Sequence, residues 1–314
     1  MQLIRGIHNL KDFHHGSVLT IGNFDGVHKG HQAILKRLVE CAKQYQLPAT
    51  VMIFEPHPAE VFSPETAPSR LSRLREKLEL LKSYGVDRVM IMKFDHQTAA
   101  MPAEDFIKKL LVEQLGVKYL IVGDDFHFGN QRQGDYELLK SRSVEFGYGL
   151  ERTATLMFSA ERISSTAVRT ALESNNLVKA KSLLGRDYEL LGKVVHGQKR
   201  GRTIGFPTAN VFLHRNKCPL NGVFAVSVDM PNRPIQQHIN GVANLGTRPT
   251  VNGTRLQLEV HLFKWSEDIY AQTIRVKFLD YIRSEEKFAS FEHLRQQIDR
   301  DVIQAKSYFN LTNV

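Results

Sequence analysis

The sequence predicts two domains of different class. The first is an α/β domain of parallel strands with helical crossovers, and the second a small antiparallel β-barrel or sandwich closed by a C-terminal helix. Three observations predict this. The chain has 314 residues, twice a typical domain of about 150. Short apolar runs alternate with apolar residues at helical spacing until residue 185, where the helical spacing stops. Hydrophobic residues make up 42% and charged residues 24%, a globular composition that excludes a disordered chain. Halves of this size each bury a core without a disulfide or metal staple.

Taken in order, residues Ser17 to Ile21 form the first strand. A glycine-rich turn follows, and Ile34, Leu35, Leu38, Ala42 and Tyr45 mark a helix. Thr50 to Phe54 is the second strand, and Leu71, Leu74, Leu78 and Leu81 recur at spacings of three and four on one helix face. Arg88 to Phe94 is a third strand, Phe106 to Leu115 a helix and Tyr119 to Gly123 a fourth strand. Parallel strands with crossovers follow, and in such an open sheet ligands sit beyond the carboxyl ends of the strands.

After Ser182-Leu183-Leu184-Gly185 six strand-like runs take over: Tyr188 to His196, Thr208 to Phe212, Val223 to Met230, Gln236 to Leu245, Leu256 to Phe263 and Thr273 to Ile282. Pro231-Asn232 and Asn252-Gly253 punctuate them. Phe291, Leu294, Ile298, Val302, Ala305 and Phe309 line one side of a final helix. The expected domains are therefore residues 1–184 and 185–314.

Composition narrows the function classes. The two cysteines, Cys41 and Cys218, exclude a disulfide scaffold, and neither belongs to a Cys-x-x-Cys pair. The opening MQLIRGIHNLKDFHHG lacks the apolar core of a signal peptide, and no apolar run reaches membrane-span length, so a cytoplasmic protein is expected. A net charge of +9 suits either nucleic-acid binding or an enzyme handling nucleotide phosphates. The tightest basic cluster is Lys199-Arg200-Gly201-Arg202.

Two motifs carry chemistry. Gly22-Asn23-Phe24-Asp25-Gly26-Val27-His28-Lys29-Gly30-His31 lies between the first strand and first helix. Glycines there let backbone approach a ligand, and the helix start offers free N–H groups to an anion. His28 and His31 can both reach nucleotide phosphates, or be two histidines of a tight turn; zinc would need a third ligand that no neighbour supplies. The second motif runs from Gly192 to Asn210, with Gly197, Gly201 and Gly205 forming a loop fit to wrap a phosphate tail. Thr208 and Asn210, two apart on a strand, point the same way and offer oxygens to a hard cation such as Mg2+, or serve as turn residues of a hairpin.

The first motif resembles the His-x-Gly-His signature of the nucleotidylyltransferases. With Phe54-Glu55-Pro56-His57-Pro58, Val122 to Gly129 and Ile163 to Arg169, the first domain resembles the adenylyltransferase half of the prokaryotic bifunctional riboflavin kinase/FAD synthetases. Gly201-Arg202-Thr203-Ile204-Gly205-Phe206-Pro207-Thr208-Ala209-Asn210 resembles riboflavin kinases. So do, in order, Asn221 to Val226, Asn244 to Thr250, Leu258 to Phe263 and the Arg283, Glu285, Lys287, Phe288 stretch.

The resemblance implies a Rossmann-like nucleotidylyltransferase domain, then a riboflavin kinase barrel with a terminal helix. It implies that riboflavin and ATP give FMN, and that FMN and ATP give FAD, with Mg2+ required and with no nucleic acid, membrane or obligate protein partner. It also implies site residues. His28, His31 and Arg169 act on the adenylyl-transfer phosphates. Gly22, Asn23, Phe24, Asp25, Gly30, Ser164, Ser165 and Thr166 complete that nucleotide site. Phe126 and Phe128 pack on the flavin ring, with core packing the alternative for one of them, and His57 joins the flavin-binding set and contacts phosphate. In the kinase, Gly197, Gly201, Arg202 and Gly205 wrap the ATP phosphates, Thr208 and Asn210 ligate Mg2+, and Glu259 is the general base. Three positions depart from the family: His127 stands where arginine is usual, and Lys264 and Ala271 replace aspartate and glycine. Two rivals compete: a nucleic-acid binder using the Lys199 to Arg202 cluster, and a flavin-binding kinase with a degenerate first domain.

Overall fold

The computed structural model describes residues 1–11, 14, 16–159, 161–196, 206–231, 233, 238–250 and 253–311. The chain forms two compact units, one of Met1–Pro68 with Leu74–Ser165 and one of Ser69–Arg73 with Thr166–Val314.

The first unit is built on a six-stranded parallel sheet. Its strands are β1 (Gln2–Arg5), β2 (Ser17–Ile21), β3 (Ala49–Glu55), β4 (Arg88–Lys93), β5 (Val117–Gly123) and β6 (Gly149–Thr153), in the order β1-β4-β3-β2-β5-β6. Central strands are apolar throughout because both sheet faces are covered. Val18, Val51, Ile53, Val89 and Ile91 pack on one face with Leu35 and Leu38 of helix α1 (Lys29–Tyr45). Their neighbours Leu19, Met52, Met90 and Leu120 pack on the other, with Phe106, Ile107 and Leu110 of a π-type helix over Phe106–Gln114. Strand β2 has β3 on one side and β5 on the other. The chain thus winds away from β2 in both directions, and the carboxyl ends of β2 and β5 flank the switch point where such sheets bind ligands.

Helix α2 (Pro58–Phe62) follows β3, and α3 spans Leu74–Ser83. The latter starts later than its apolar spacing predicts: Leu71 is buried in the segment before it. Sequence reading misses β1, β6 and a helix at Tyr136–Phe146. The first is a four-residue edge strand with one buried residue, and the second has no fully buried residue. The helix did carry end signals: the Asp135 carboxylate accepts from the Leu138 N–H, and Gly147 closes it at φ 71°. A small hairpin follows β6, made of β7 (Met157–Phe158) and β8 (Glu161–Arg162).

The second unit contains helices Ser165–Glu173 (from its second residue) and Leu177–Leu184, then a closed antiparallel barrel. Its strands are β9 (Tyr188–Val195), β10 (Ala209–Phe212), β11 (Gly222–Asp229), β12 (Ile239–Thr250), β13 (Gly253–Leu262) and β14 (Thr273–Arg283). The ring closes because β9 pairs with both β10 and β14. The sequence left barrel or sandwich open, and pairing decides for the barrel. The strand expected to end at Leu245 continues to Thr250 as part of a long hairpin with β13. The final helix, Phe291–Tyr308, buries Val302 and Ala305 against Val223, Ala225 and Val242 on the outside of the barrel. Its first apolar residue, Phe291, is exposed.

Candidate functional sites

In the first unit, the turn between β2 and α1 lies at the switch point. Its backbone is left-handed at Phe24 (φ 49°), Gly26 (φ 76°) and Val27 (φ 41°). For a β-branched valine this costs about 1–3 kcal/mol, a strain held in place by surrounding structure and typical of functional sites. Val27 and Phe24 are buried, and the Ser165 hydroxyl donates to the Asp25 carbonyl at 2.9 Å. Together these hold the turn.

His28 caps α1. Its Nδ1 accepts the His31 backbone N–H at 3.3 Å, which leaves a neutral ring's proton on Nε2. The rings of His28 and His31 stack with centroids 3.7 Å apart, and Phe24 lies 4.8 Å from His31. Burial, with the nearby His28 and Lys77 charges, depresses the His31 pKa well below the usual histidine value. Among the described residues, the buried His31 Nδ1 and the buried Asn23 Oδ1 have no hydrogen-bond partner. Added Cβ atoms at Gly22 and Gly30 would press on Phe24 and His28, at 3.2 and 3.1 Å.

Thus Gly22, Asn23, Phe24, Asp25, His28, Gly30, His31 and Ser165 come together around one helix start. Ser164 precedes them on the same unit, whereas Thr166 and Arg169 belong to the second, where Arg169 Nε donates to the Ser69 carbonyl at 2.7 Å. His57 caps α2: its Nδ1 accepts the Ala59 N–H and its own N–H donates to Glu60.

At the end of β5, Phe126 and Phe128 stack with centroids 5.5 Å apart. Phe128 is buried in the core against Phe106, and Phe126 is its half-buried outer neighbour. Asp124 accepts from the Thr155 hydroxyl, which holds its carboxyl below the usual range. His127 is exposed and donates from Nδ1 to the Asp125 carbonyl at 2.9 Å. An arginine nearby, Arg162, pairs with the Asp125 carboxylate at 2.6 Å.

In the second unit, a cavity of about 580 Å3 lies between the barrel and its final helix. A single transverse row of cross-strand partners crosses it: Asn210 faces Glu259, Glu259 faces Asn244, Asn244 faces Val223, and Val223 faces Arg283. Residues directly paired in this way share a face, and every member of the row lines the cavity, as do Thr208 and His261. Gln257 donates to Asn210 Oδ1 at 3.1 Å and to Glu259 Oε1 at 2.7 Å. Asn244 donates to Glu285 at 3.1 Å, while its own buried Oδ1 has no partner among the described residues. His261 donates from Nδ1 to the Pro207 carbonyl, and burial lowers its pKa. Arg283 closes the row with a two-bond pair to Asp301, both at 2.8 Å, and its guanidinium lies 5.5 Å from the Phe288 ring centre.

Gln257, His261 and Asn244 are cavity residues to which sequence reading assigns no site role, although Asn244 and His261 stand within the segments that carry the resemblance. Only pairing register reveals them, since Asn244 and Glu259 are opposite on the hairpin. Gly197, Gly201, Arg202 and Gly205 lie outside the described residues. Thr208 and Asn210 offer neutral oxygens of the kind Mg2+ accepts beside phosphate oxygens. Among the described residues no three acidic, histidine or cysteine side chains form a metal cluster.

Comparison with known proteins agrees with both halves. A family model described as FAD synthetase matches residues 10–167, and one described as riboflavin kinase matches residues 184–309. The bifunctional riboflavin kinase/FMN adenylyltransferase of Escherichia coli (strain K12) is 51% identical over 314 residues, covering 99% of each chain. That of Haemophilus influenzae is 49% identical over 310 residues, covering 99% of this chain and 100% of its own. A crystal structure named macrolide-efflux protein from Streptococcus pneumoniae superposes with a TM-score of 0.83 at 31% identity, covering 96% of this chain and 97% of that one. Among the described residues no helix of this chain is long and apolar enough to cross a membrane.

Proposed function

This chain belongs to the bifunctional riboflavin kinase/FMN adenylyltransferase family, and we propose how its residues divide the two reactions. It phosphorylates riboflavin with ATP to give FMN, and adenylylates FMN with ATP to give FAD and pyrophosphate. We assign the second step to residues 1–184 and the first to residues 185–314.

The kinase assignment rests on one observation, the row of Asn210, Glu259 and Asn244 across the cavity floor. Glu259 accepts the proton of the terminal ribityl hydroxyl as that oxygen attacks the γ-phosphorus of ATP; the bond to the β-phosphate breaks and ADP leaves. Gln257, donating to both Asn210 and Glu259, fixes the two side chains relative to each other. Enzymes of these families use Mg2+, which offsets phosphate charge when bound with the nucleotide. Thr208 and Asn210 would hold it, and the Gly197, Gly201, Arg202 and Gly205 loop would wrap the phosphates.

Adenylylation needs positioning more than proton transfer, because the FMN phosphate is already ionised. One of its oxygens attacks the α-phosphorus of ATP, and the bond to the β-phosphate breaks. His28 and His31 stand at the positive end of α1, where N–H groups stabilise charge growing on phosphate oxygens. The depressed pKa of His31 makes it a neutral donor at pH 7. Asn23, Asp25, Ser164, Ser165, Thr166 and Arg169 complete this reading. Phe126 presents the flavin-facing ring while buried Phe128 backs it, and His57 faces the flavin phosphate.

Separate assays test the division. Glu259→Gln is expected to stop FMN formation while supplied FMN is still converted to FAD, and His31→Ala to do the reverse. Loss of both activities in either variant, with an unchanged melting curve, overturns the assignment.

A further inference from the structure

Strand β13 presents three polar side chains to the segment that opens β10. Gln257, Glu259 and His261 are two apart on the strand and so share a face, and all three line the cavity. The β10–β13 ladder ends at its Ala209–Val260 pair. Backbone pairing therefore sets Asn210 opposite Glu259 but stops one residue short of Thr208, and Pro207 has no N–H with which to extend it. A side chain holds this stretch instead: His261 Nδ1 lies 2.9 Å from the Pro207 carbonyl. A carbonyl only accepts, so Nδ1 carries the proton.

The ring that makes this bond is itself fixed. His261 pairs with Val242 on β12, and its ring meets those of Phe206 and Phe263 edge-on, with centroids 5.4 and 5.9 Å away. Both phenylalanines pack in the apolar cluster under the final helix. Residues 207–210 are thus tied to β13 at both ends, by His261 at Pro207 and by Gln257 at Asn210 Oδ1, and Thr208 lies between the two ties. Mg2+ demands near-ideal octahedral geometry, so a ligand outside the ladder needs such a restraint. We propose that His261 is a positioning residue of the kinase: its bond to Pro207 sets the Thr208 hydroxyl beside Asn210 as the pair that receives Mg2+ with the nucleotide. The proposal rests on the kinase reading of this unit, in which Thr208 and Asn210 are the ligands. His261 acts through Thr208 and not on the reacting atoms.

The test uses the full-length protein with riboflavin and ADP, a pair that cannot react, and follows riboflavin fluorescence as Mg2+ is titrated. His261→Leu, which keeps the bulk and removes the donor, is expected to raise the Mg2+ midpoint about 10–100-fold, the usual cost of losing a group that orients a metal ligand. FMN formation shows the same shift in its Mg2+ requirement, and adenylylation of supplied FMN is unchanged. His261→Asn puts an amide N–H where Nδ1 stands and recovers most of the affinity, whereas His261→Gln, reaching toward the Nε2 position, does not. The double variant H261L/T208A binds Mg2+ no worse than Thr208→Ala alone, because the histidine acts through that hydroxyl. A midpoint in His261→Leu within twofold of wild type overturns the proposal. So do losses that add in the double variant, or equal midpoints in His261→Asn and His261→Gln, which would make His261 a packing residue. Failure of the underlying reading looks different: no Mg2+ response in wild type, or an unmoved midpoint in Thr208→Ala, means that the ligands themselves are misassigned.

Discussion

Replacing Asp301 with alanine isolates the pair that joins the final helix to strand β14. Asp301 accepts from Arg283 Nε and from a terminal guanidinium nitrogen, both at 2.8 Å, and Gln297 donates to the same carboxylate at 3.0 Å. The Asp301 side chain is 5% exposed and that of Arg283 17%. Two charge-assisted bonds of about 1.5–3 kcal/mol each set the upper range. Arg283 keeps part of its compensation, because it still donates to the Ser284 carbonyl and lies over Phe288. We therefore expect Asp301→Ala to cost about 3 kcal/mol, a fall of roughly 6–12 °C in the melting of a unit this size. Since Arg283 and Asp301 both line the kinase cavity, FMN formation should lose stability against heat first. The assay is residual kinase and adenylyltransferase activity after graded heating, read beside a melting curve. Equal inactivation of the two activities, or a melting shift under 2 °C, refutes the argument that this pair fastens the helix to the cavity wall (a surface pair contributes only about 0–1 kcal/mol).

Other perturbations follow from the same geometry. A Cβ on Gly192 would lie 2.4 Å from Val211 Cγ1 and 2.9 Å from the Phe212 carbonyl, so Gly192→Ala should cost about 1–3 kcal/mol and loosen barrel closure, measurable by denaturant melting. Because the folded His31 pKa lies below its unfolded value, its contribution to stability is complete above about pH 6.5 and is lost as pH falls from there toward the folded pKa. The added slope approaches about 1.4 kcal/mol per pH unit; melting of wild type and His31→Gln between pH 7 and 5 should show the steeper loss in wild type. Chelation with EDTA should stop both reactions yet leave the nucleotide-free melting temperature unchanged, because the oxygens assigned to Mg2+ in the kinase are neutral and await phosphate. A drop in melting temperature would point to a resident ion instead.

Much of the architecture is legible in the residues because both periodicities are strong. The central strands read as unbroken apolar runs since both faces of the parallel sheet are covered, and of the barrel strands β13 and the first half of β14 alternate buried with half-buried residues. Elements with little to bury, such as β1 and β6, leave no such trace. The His28–His31 turn was readable from local spacing because a helix start concentrates its chemistry within ten residues. The kinase site was legible only in pieces. Asn210, Asn244, Glu259 and Arg283 are far apart in the chain and become neighbours through strand register, a long-range property without a local signal. The burial of Lys77 on the face of Leu74, Leu78 and Leu81 likewise leaves no local trace.

The closed ring also orders events during synthesis. Strand β9 finds its second partner only in β14, through pairs such as Tyr188 with Phe278, so the circle stays open until some ninety residues after it begins have emerged. The cavity wall then still awaits Asp301. Phosphorylation of the vitamin is therefore the last capability a growing chain acquires, whereas the strands of the first sheet are all present by Thr153. Non-local closure of this kind is slow. A chain halted between the end of β13 at Leu262 and the end of β14 at Arg283 would display a partner-seeking strand edge, and that stretch is where a nascent chain most needs shielding from its neighbours.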